Sequence, residues 1–394
     1  MSNSFKLNEK IKVFRISTVP ISLNVLLRGQ LEFLNSYFEI VAISSPGSDL
    51  TEVSQRENIR TYSIKMKRKI AILSDINSLV KLIVLFYREK PFIVHSITPK
   101  AGFLSMMAAF LVGVPIRIHT FTGLIFPTEK GFKKFLLKNI DRLTCFFATN
   151  IYPEGNGVKT DLIVNKITTK SLDVLANGNV NGIDSNYFNP DLFKKERIYN
   201  LKRDLNISFD SFVFIFVGRL VTDKGINELI ESFVKFNLSI KSNLILVGDY
   251  EHKEDPLKST TLEIIKSSPD IISLGYKKDI RPFLAIADCF IFPSYREGFP
   301  NVVLQAGAMG LPCIVTDING SNEIIFDGVN GLVIPPKNVD EIFNKMKFLY
   351  ENKSILNKLR DNARSMIISK FQQEYVWQSI LNEYNKYKNS YFSN

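Results

Sequence analysis

A chain of 394 residues, 45% apolar and 23% charged, is too long for one ordinary domain and too apolar for disorder beyond a short polar start over 1–10. Three dispersed cysteines, Cys145, Cys289 and Cys313, exclude a disulfide framework, and His95, His119 and His252 stand at no zinc-ligand spacing, so a reducing cytoplasm and no structural metal are expected. The net charge of +11 is uneven: residues 1–195 hold 26 basic against 15 acidic residues, whereas residues 196–394 hold 24 of each, so the first half could face anionic lipid, nucleic acid or a phosphorylated substrate.

Strand and helix patterns alternate from the start. Residues 11–17 read as a strand, 23–37 as a helix, 39–45 as a second strand, 92–97 as a third, 101–112 as a helix and 116–121 as a strand. The apolar stretches 79–87 and 103–114 fall short of the roughly 18–20 residues of a membrane span and are expected to be buried helices. No signal-peptide pattern is read at the start. The polar segment 185–207 interrupts the rhythm and carries the charge change, which predicts a first domain over 1–200 and a second over 201–374. The rhythm restarts with strands at 212–218, 243–249, 271–276, 289–294, 312–317 and 331–336 and a helix at 225–236; a last helix spans 375–392, part of a terminal segment (375–394) expected to pack back on the first domain. The predicted fold is therefore α/β, two Rossmann-like domains facing a cleft, with ligands beyond the carboxyl ends of the strands.

The motifs fall at such ends. In "FVGRLVTDKGINELI" a strand stops at Val217, Gly218 turns the backbone, and Arg219 and Lys224 precede a helix, where both could reach one anion. No GxxxxGK[ST] and no strand-linked GxGxxG is present, which weakens P-loop and plain dinucleotide readings. "EGFPNVVLQAGAMGLPC" places Glu297 on a turn, then a helix bearing Gln305 eight residues later.

With "GRLVTDKG", "LILVGD" and "SLGYKKDIRPFLAIADCFIFPS", that last segment resembles the carboxyl-terminal domain of the retaining family-four glycosyltransferases of the GT-B fold. "VHSITPKAGFL", "RIHTFTGLIF" and "NGNVNGID" are similar to the acceptor-side domain of members that build capsules, O-antigens and other surface polysaccharides; the likeness covers about residues 11–390. The resemblance implies that Arg219 and Lys224 bind the donor diphosphate beside Gly218, and that the segment with Gly275, Tyr276, Lys277 and Asp279 holds the base. It further implies that Glu297 lies near the donor sugar, with the turn Gly298, Phe299, Pro300 and the helix start Asn301, Val302 facing sugar and phosphate. It also implies that position 305 holds the ribose and that His119 stands on the acceptor side, which makes Glu297, His119, Arg219 and Lys224 the catalytic candidates. Gln305 departs from the family's usual Glu, keeping an acceptor but losing the charge. The loop 18–24 departs too, lacking the glycines many relatives use near the diphosphate.

The implied partners are a nucleotide-sugar donor, UDP-linked, an acceptor on an undecaprenyl-diphosphate type lipid, and an anionic membrane surface on the cytoplasmic side, with no nucleic acid, cofactor or metal. "KMKRK" (65–69) and Lys130, Lys133, Lys134 and Lys138 could meet that surface, and Lys100-Ala101-Gly102 could bind an acceptor phosphate. A non-catalytic nucleotide-sugar or partner-binding protein of the same fold is the alternative, supported by Gln305; a nucleotide-sugar epimerase is a third.

Overall fold

Strands buried on both faces need no polar alternation, and the near-continuous apolar runs of this chain form parallel strands. In the computed structural model, which describes residues 10–251 and 255–393, they assemble into two six-stranded sheets. The chain divides into one unit of residues 1–182 with 373–394 and a second of 183–372. His252 and most of the polar start lie outside the described residues.

The first unit holds β1 (Lys12–Ile16), β2 (Glu39–Ser44), β3 (Arg60–Ser63), β4 (Ile93–Ser96), β5 (Ile116–Phe121) and β6 (Asn150–Pro153), in the parallel order β3-β2-β1-β4-β5-β6. Its helices are α1 (Pro20–Leu26), α2 (Gln30–Asn35), α3 (Ser48–Arg56), α4 (Ile72–Glu89), α5 (Pro99–Val112), α6 (Gly131–Phe147) and α7 (Asn156–Val164). Strand side chains alternate between two cores: Phe14, Ile16, Val41 and Ile43 enter one, Val13, Ile40, Ala42 and Ile93 the other.

The second unit repeats the plan with β7 (Phe212–Val217), β8 (Ser242–Val247), β9 (Ile271–Ser273), β10 (Cys289–Phe292), β11 (Cys313–Thr316) and β12 (Gly331–Ile334), ordered β12-β11-β10-β7-β8-β9, again all parallel. Its helices are α8 (Lys195–Asp204), α9 (Ile226–Asn237), α10 (Ser259–Ser267), α11 (Arg281–Ala285), α12 (Asn301–Ala308), α13 (Ser321–Ile324), α14 (Val339–Glu351) and α15 (Lys353–Phe371). Phe193, Ile198, Leu201 and Ile207 pack into this unit's core, so the polar segment around α8 belongs with it. The strand order reverses between β1 and β4 in one sheet and between β7 and β10 in the other, the place where doubly wound sheets bind ligands.

The final helix, α16 (Gln373–Phe392), belongs to the first unit. Its buried Tyr384 accepts from Arg15 Nη1 of β1 at 2.7 Å and meets His95 Nδ1 of β4 at 2.6 Å, while His95 Nε2 reaches Thr120 Oγ1 at 2.8 Å. Burial, and then the Arg15 charge, hold His95 well below the usual histidine range, so it is a neutral structural residue.

Two expectations change. The helix read over 23–37 is two short helices, because Gly29 lies in the left-handed region at φ 78° and the Trp377 ring sits where a side chain at 29 would project. The stretch 79–87 is not buried all round: Leu82 and Phe86 of α4 point into the core, while Val80, Val84 and Tyr87 are exposed. The basic run 65–69 is a loop whose Met66 is buried between exposed lysines.

Candidate functional site

The loops after β7 and β10 carry the chemistry of the second unit, and they are joined to each other. Tyr295 N donates to Asp223 O at 2.8 Å, and Arg296 pairs with Asp223 at 3.3 Å. Gly225, at φ 70°, ends the first loop; a Cβ there would come within 2.1 Å of Pro293 O, so only glycine lets α9 begin this close to the end of β10.

This joining brings Lys224 and Glu297, 73 residues apart, into an ion pair at Glu297 Oε1. The same oxygen accepts from Ser294 Oγ at 2.8 Å, and Ser294 is fully buried. The ammonium also lies 5.6 Å from the centroid of the Phe292 ring. Both charged side chains are only 16% exposed, so their pairing is less screened than at an open surface. Gly218 donates to Val247 O at 2.9 Å. Arg219 does not join Lys224; its guanidinium is half exposed and pairs with Glu251.

The segment expected to hold a base closes on the end of β8. Gly248 N donates to Gly275 O at 2.9 Å, and Tyr276 N donates to Asp249 Oδ1 at 3.1 Å, leaving the Tyr276 and Lys277 side chains exposed. Asp279 is turned to Arg281, whose Nε and Nη2 donate to its two oxygens at 2.8 Å each; this pairing holds the carboxyl below its ordinary range. Arg281 also stacks over Tyr187, 3.5 Å from its centroid. In the turn after Glu297, Phe299 is buried against Phe371, and this anchors Gly298 and Pro300 ahead of α12. Asn301 and Val302 form the first turn of α12, and Gln305 is half buried on the same helix.

His119 lies on β5 of the first unit, 1% exposed, with Nδ1 hydrogen-bonded to Ser96 Oγ at 2.8 Å. Its ring lies over Gly102 of α5, where an added Cβ would stand 2.4 Å from Cε1. Burial pushes the imidazole down to about 3, so it is neutral at physiological pH. Lys100, near the start of the same helix, is held by Asp75 at 2.8 Å. Among the described residues no group of three or more His, Cys, Asp or Glu gathers as metal ligands would, and no helix is long and apolar enough to cross a membrane.

Spacing alone did not expose Ser294, Glu251 or Asp249. Ser294 and Asp249 are the last residues of runs read as strands, two positions past the ends of β10 and β8, and a polar residue there is the signal that marks them.

Comparison with known proteins agrees with this layout. Residues 198–366 match the profile "Glycosyl transferases group 1", and residues 22–154 match "Glycosyl transferase 4-like". The chain is 35% identical to the capsular polysaccharide biosynthesis glycosyltransferase CapM of Staphylococcus aureus, over 95% of this chain and 97% of that one. It is 30% identical to the UDP-Gal:alpha-D-GlcNAc-diphosphoundecaprenol alpha-1,3-galactosyltransferase of Escherichia coli, over 92% and 94%. The fold superposes on Anabaena Alr3699/HepE in complex with UDP and glucose with a TM-score of 0.81 at 18% identity, covering 95% of this chain and all of that one.

Proposed function

We propose, from the premise that this chain belongs to the group 1 glycosyl transferases of the capsule and O-antigen type on the GT-B fold, that it moves a sugar from a UDP-sugar to a glycan on a polyprenyl diphosphate, with retention of anomeric configuration. The observation that carries the reading is the Lys224–Glu297 pair, set by Ser294 beyond the carboxyl ends of β7 and β10, where the strand order reverses.

Those charges suit the chemistry. The bond from the anomeric carbon to the diphosphate oxygen breaks as the bond to the acceptor oxygen forms. Negative charge grows on the leaving diphosphate, where Lys224 and Arg219 stabilise it more than in the ground state. Glu297 stands by the sugar, which gains oxocarbenium character. The incoming hydroxyl attacks from the leaving-group face, and a phosphate oxygen takes its proton. His119, neutral, orients rather than protonates. No cofactor or metal enters, because the two cations supply the charge. The donor sugar is a hexosyl or N-acetylhexosaminyl group. The diphosphoundecaprenol acceptors in the names of two relatives, the Escherichia coli enzyme among them, support a lipid-linked acceptor here.

The charge of residues 1–195 and the exposed apolar side of α4 support docking on an anionic membrane at its cytoplasmic face.

The test is thermal shift with a panel of UDP- and GDP-sugars on the wild type, Arg219→Ala and Lys224→Ala, since a specific ligand raises the melting temperature by mass action. One UDP-sugar should raise it in the wild type, and both variants should lose most of that rise. A rise unchanged in both variants would overturn the diphosphate assignment. Donor binding without turnover on any lipid-diphosphate glycan would favour the non-catalytic reading.

A further inference from the structure

The first unit contains a groove of about 320 Å³ between α4, α5 and α6, within the size range of small-molecule sites. Its walls are aliphatic and aromatic: Ile72, Ile76, Leu79, Phe103, Met107 and Leu137 line it. Apolar surface left open in this way costs solvation free energy unless something covers it. Charge is found at only a few positions. Arg68 and Lys100 line the groove too, Lys100 fixed by Asp75, and the basic loop 65–69 leads into α4.

The groove also reaches the acceptor side of the proposed reaction. It touches Pro99 and Lys100 at the start of α5, the helix whose Gly102 abuts His119, and Gly123 just after β5, the strand that bears His119. A molecule with an apolar tail lying along α4 and an anionic head at Arg68 and Lys100 would therefore direct a sugar carried on that head toward the ends of β4 and β5. Two acidic side chains depart from the pattern. Asp75 lines the groove where it pairs with Lys100, so a diphosphate there takes over Lys100 from it. Asp141 of α6 lines the groove at 8% exposure, and burial raises its carboxyl to about 7, which leaves a large neutral fraction beside the tail.

We infer that this groove holds the first isoprene units of the lipid-linked acceptor, with the diphosphate at Arg68 and Lys100. The inference rests on the proposed reading of a polyprenyl-diphosphate acceptor and adds where its lipid lies. A branched, unfunctionalised hydrocarbon suits walls of Ile, Leu, Met and Phe, which offer volume and no hydrogen-bond partners. A diphosphate suits the neighbouring cations.

Calorimetric titration of the full chain with farnesyl diphosphate and with inorganic diphosphate tests it. The wild type should bind farnesyl diphosphate at least about tenfold more tightly, since it buries a branched hydrocarbon that inorganic diphosphate lacks. Ile76→Asp, at a half-exposed helix position, and Met107→Trp, which fills the groove, should each remove most of that advantage. UDP titration and circular dichroism check that both variants are folded. A photoreactive farnesyl diphosphate should label peptides of α4 and α5 in the wild type. Equal affinity for the two probes, farnesyl diphosphate affinity unchanged in both variants, or labelling confined to the second unit would overturn the inference. If it fails while the wild type still glycosylates polyprenyl-diphosphate acceptors, the reaction reading stands and only the groove assignment falls. If free oligosaccharides serve as well as lipid-linked ones, the acceptor reading itself falls.

Discussion

The hydroxyl of Ser294 donates to Glu297 at 2.8 Å from a fully buried position, and the Lys224 ammonium meets the same oxygen. A hydrogen bond to a charged group contributes about 1.5–3 kcal/mol. Ser294→Ala should therefore cut kcat by roughly tenfold to a hundredfold with a smaller change in donor KM, because Ser294 positions Glu297 without reaching the substrate. Steady-state kinetics decides it; an unchanged kcat would deny Ser294 that positioning role. Asp141 gives a pH signature. Its carboxyl is raised from 3.8 to about 7 by burial, so the folded chain holds the proton more tightly than the unfolded chain does. Its contribution is full below about pH 4 and is lost as pH rises toward 7. Asp141→Asn removes this penalty, so the variant should gain stability, on the order of 1–4 kcal/mol at pH 8 and almost nothing at pH 4. Melting temperatures across that range measure it, and a gain independent of pH would contradict the burial of this charge. Arg219, Lys224 and Glu297 were legible in the sequence as residues that come after apolar runs. The pairing of Lys224 with Glu297 was not, since 73 residues separate them and only the order β10-β7 makes their loops neighbours.

At the scale of elements, the strands were the most legible feature, because a parallel strand buried on both faces is one apolar run. Runs such as 212–218 and 289–294 lie on β7 and β10. Helices were less so. The break at Gly29 depends on Trp377, far away in sequence, and α3, whose apolar residues are Leu50 and Val53 alone, is too short and polar to stand out, as is the four-residue strand β3. The outer side of α4 is a case where burial was expected and exposure was found. Leu73, Ile76, Val80, Val84 and Tyr87 are exposed and spaced three or four residues apart, which aligns them along one side of the helix. An apolar stripe beside a basic loop fits an anionic bilayer surface, with each nearby cation adding about 1 kcal/mol at low salt. In flotation assays the protein should rise with anionic vesicles, less with neutral ones and less again at high salt. The double variant Val80→Asp/Val84→Asp should lose most of the bound fraction. Equal flotation on neutral and anionic vesicles would contradict the electrostatic part, and an unaffected double variant the apolar part.

For the whole molecule, the charge total says less than its distribution. Residues 1–195 carry the entire surplus of +11, and they include the sheet with His119, the groove and the α4 stripe. The balanced part carries Lys224, Glu297 and Gln305. This division matches a chain that meets an anionic lipid substrate with one unit and a nucleotide with the other. The most direct measurement is transfer of radiolabel from a panel of UDP-sugars into organic-extractable lipid, with and without a polyprenyl-diphosphate-linked sugar. We predict that one UDP-sugar labels the lipid only when the acceptor is present, that UDP is released in equal amount, and that the new linkage keeps the donor's anomeric configuration. Label that never enters the lipid, or a product of inverted configuration, would contradict the proposed reaction.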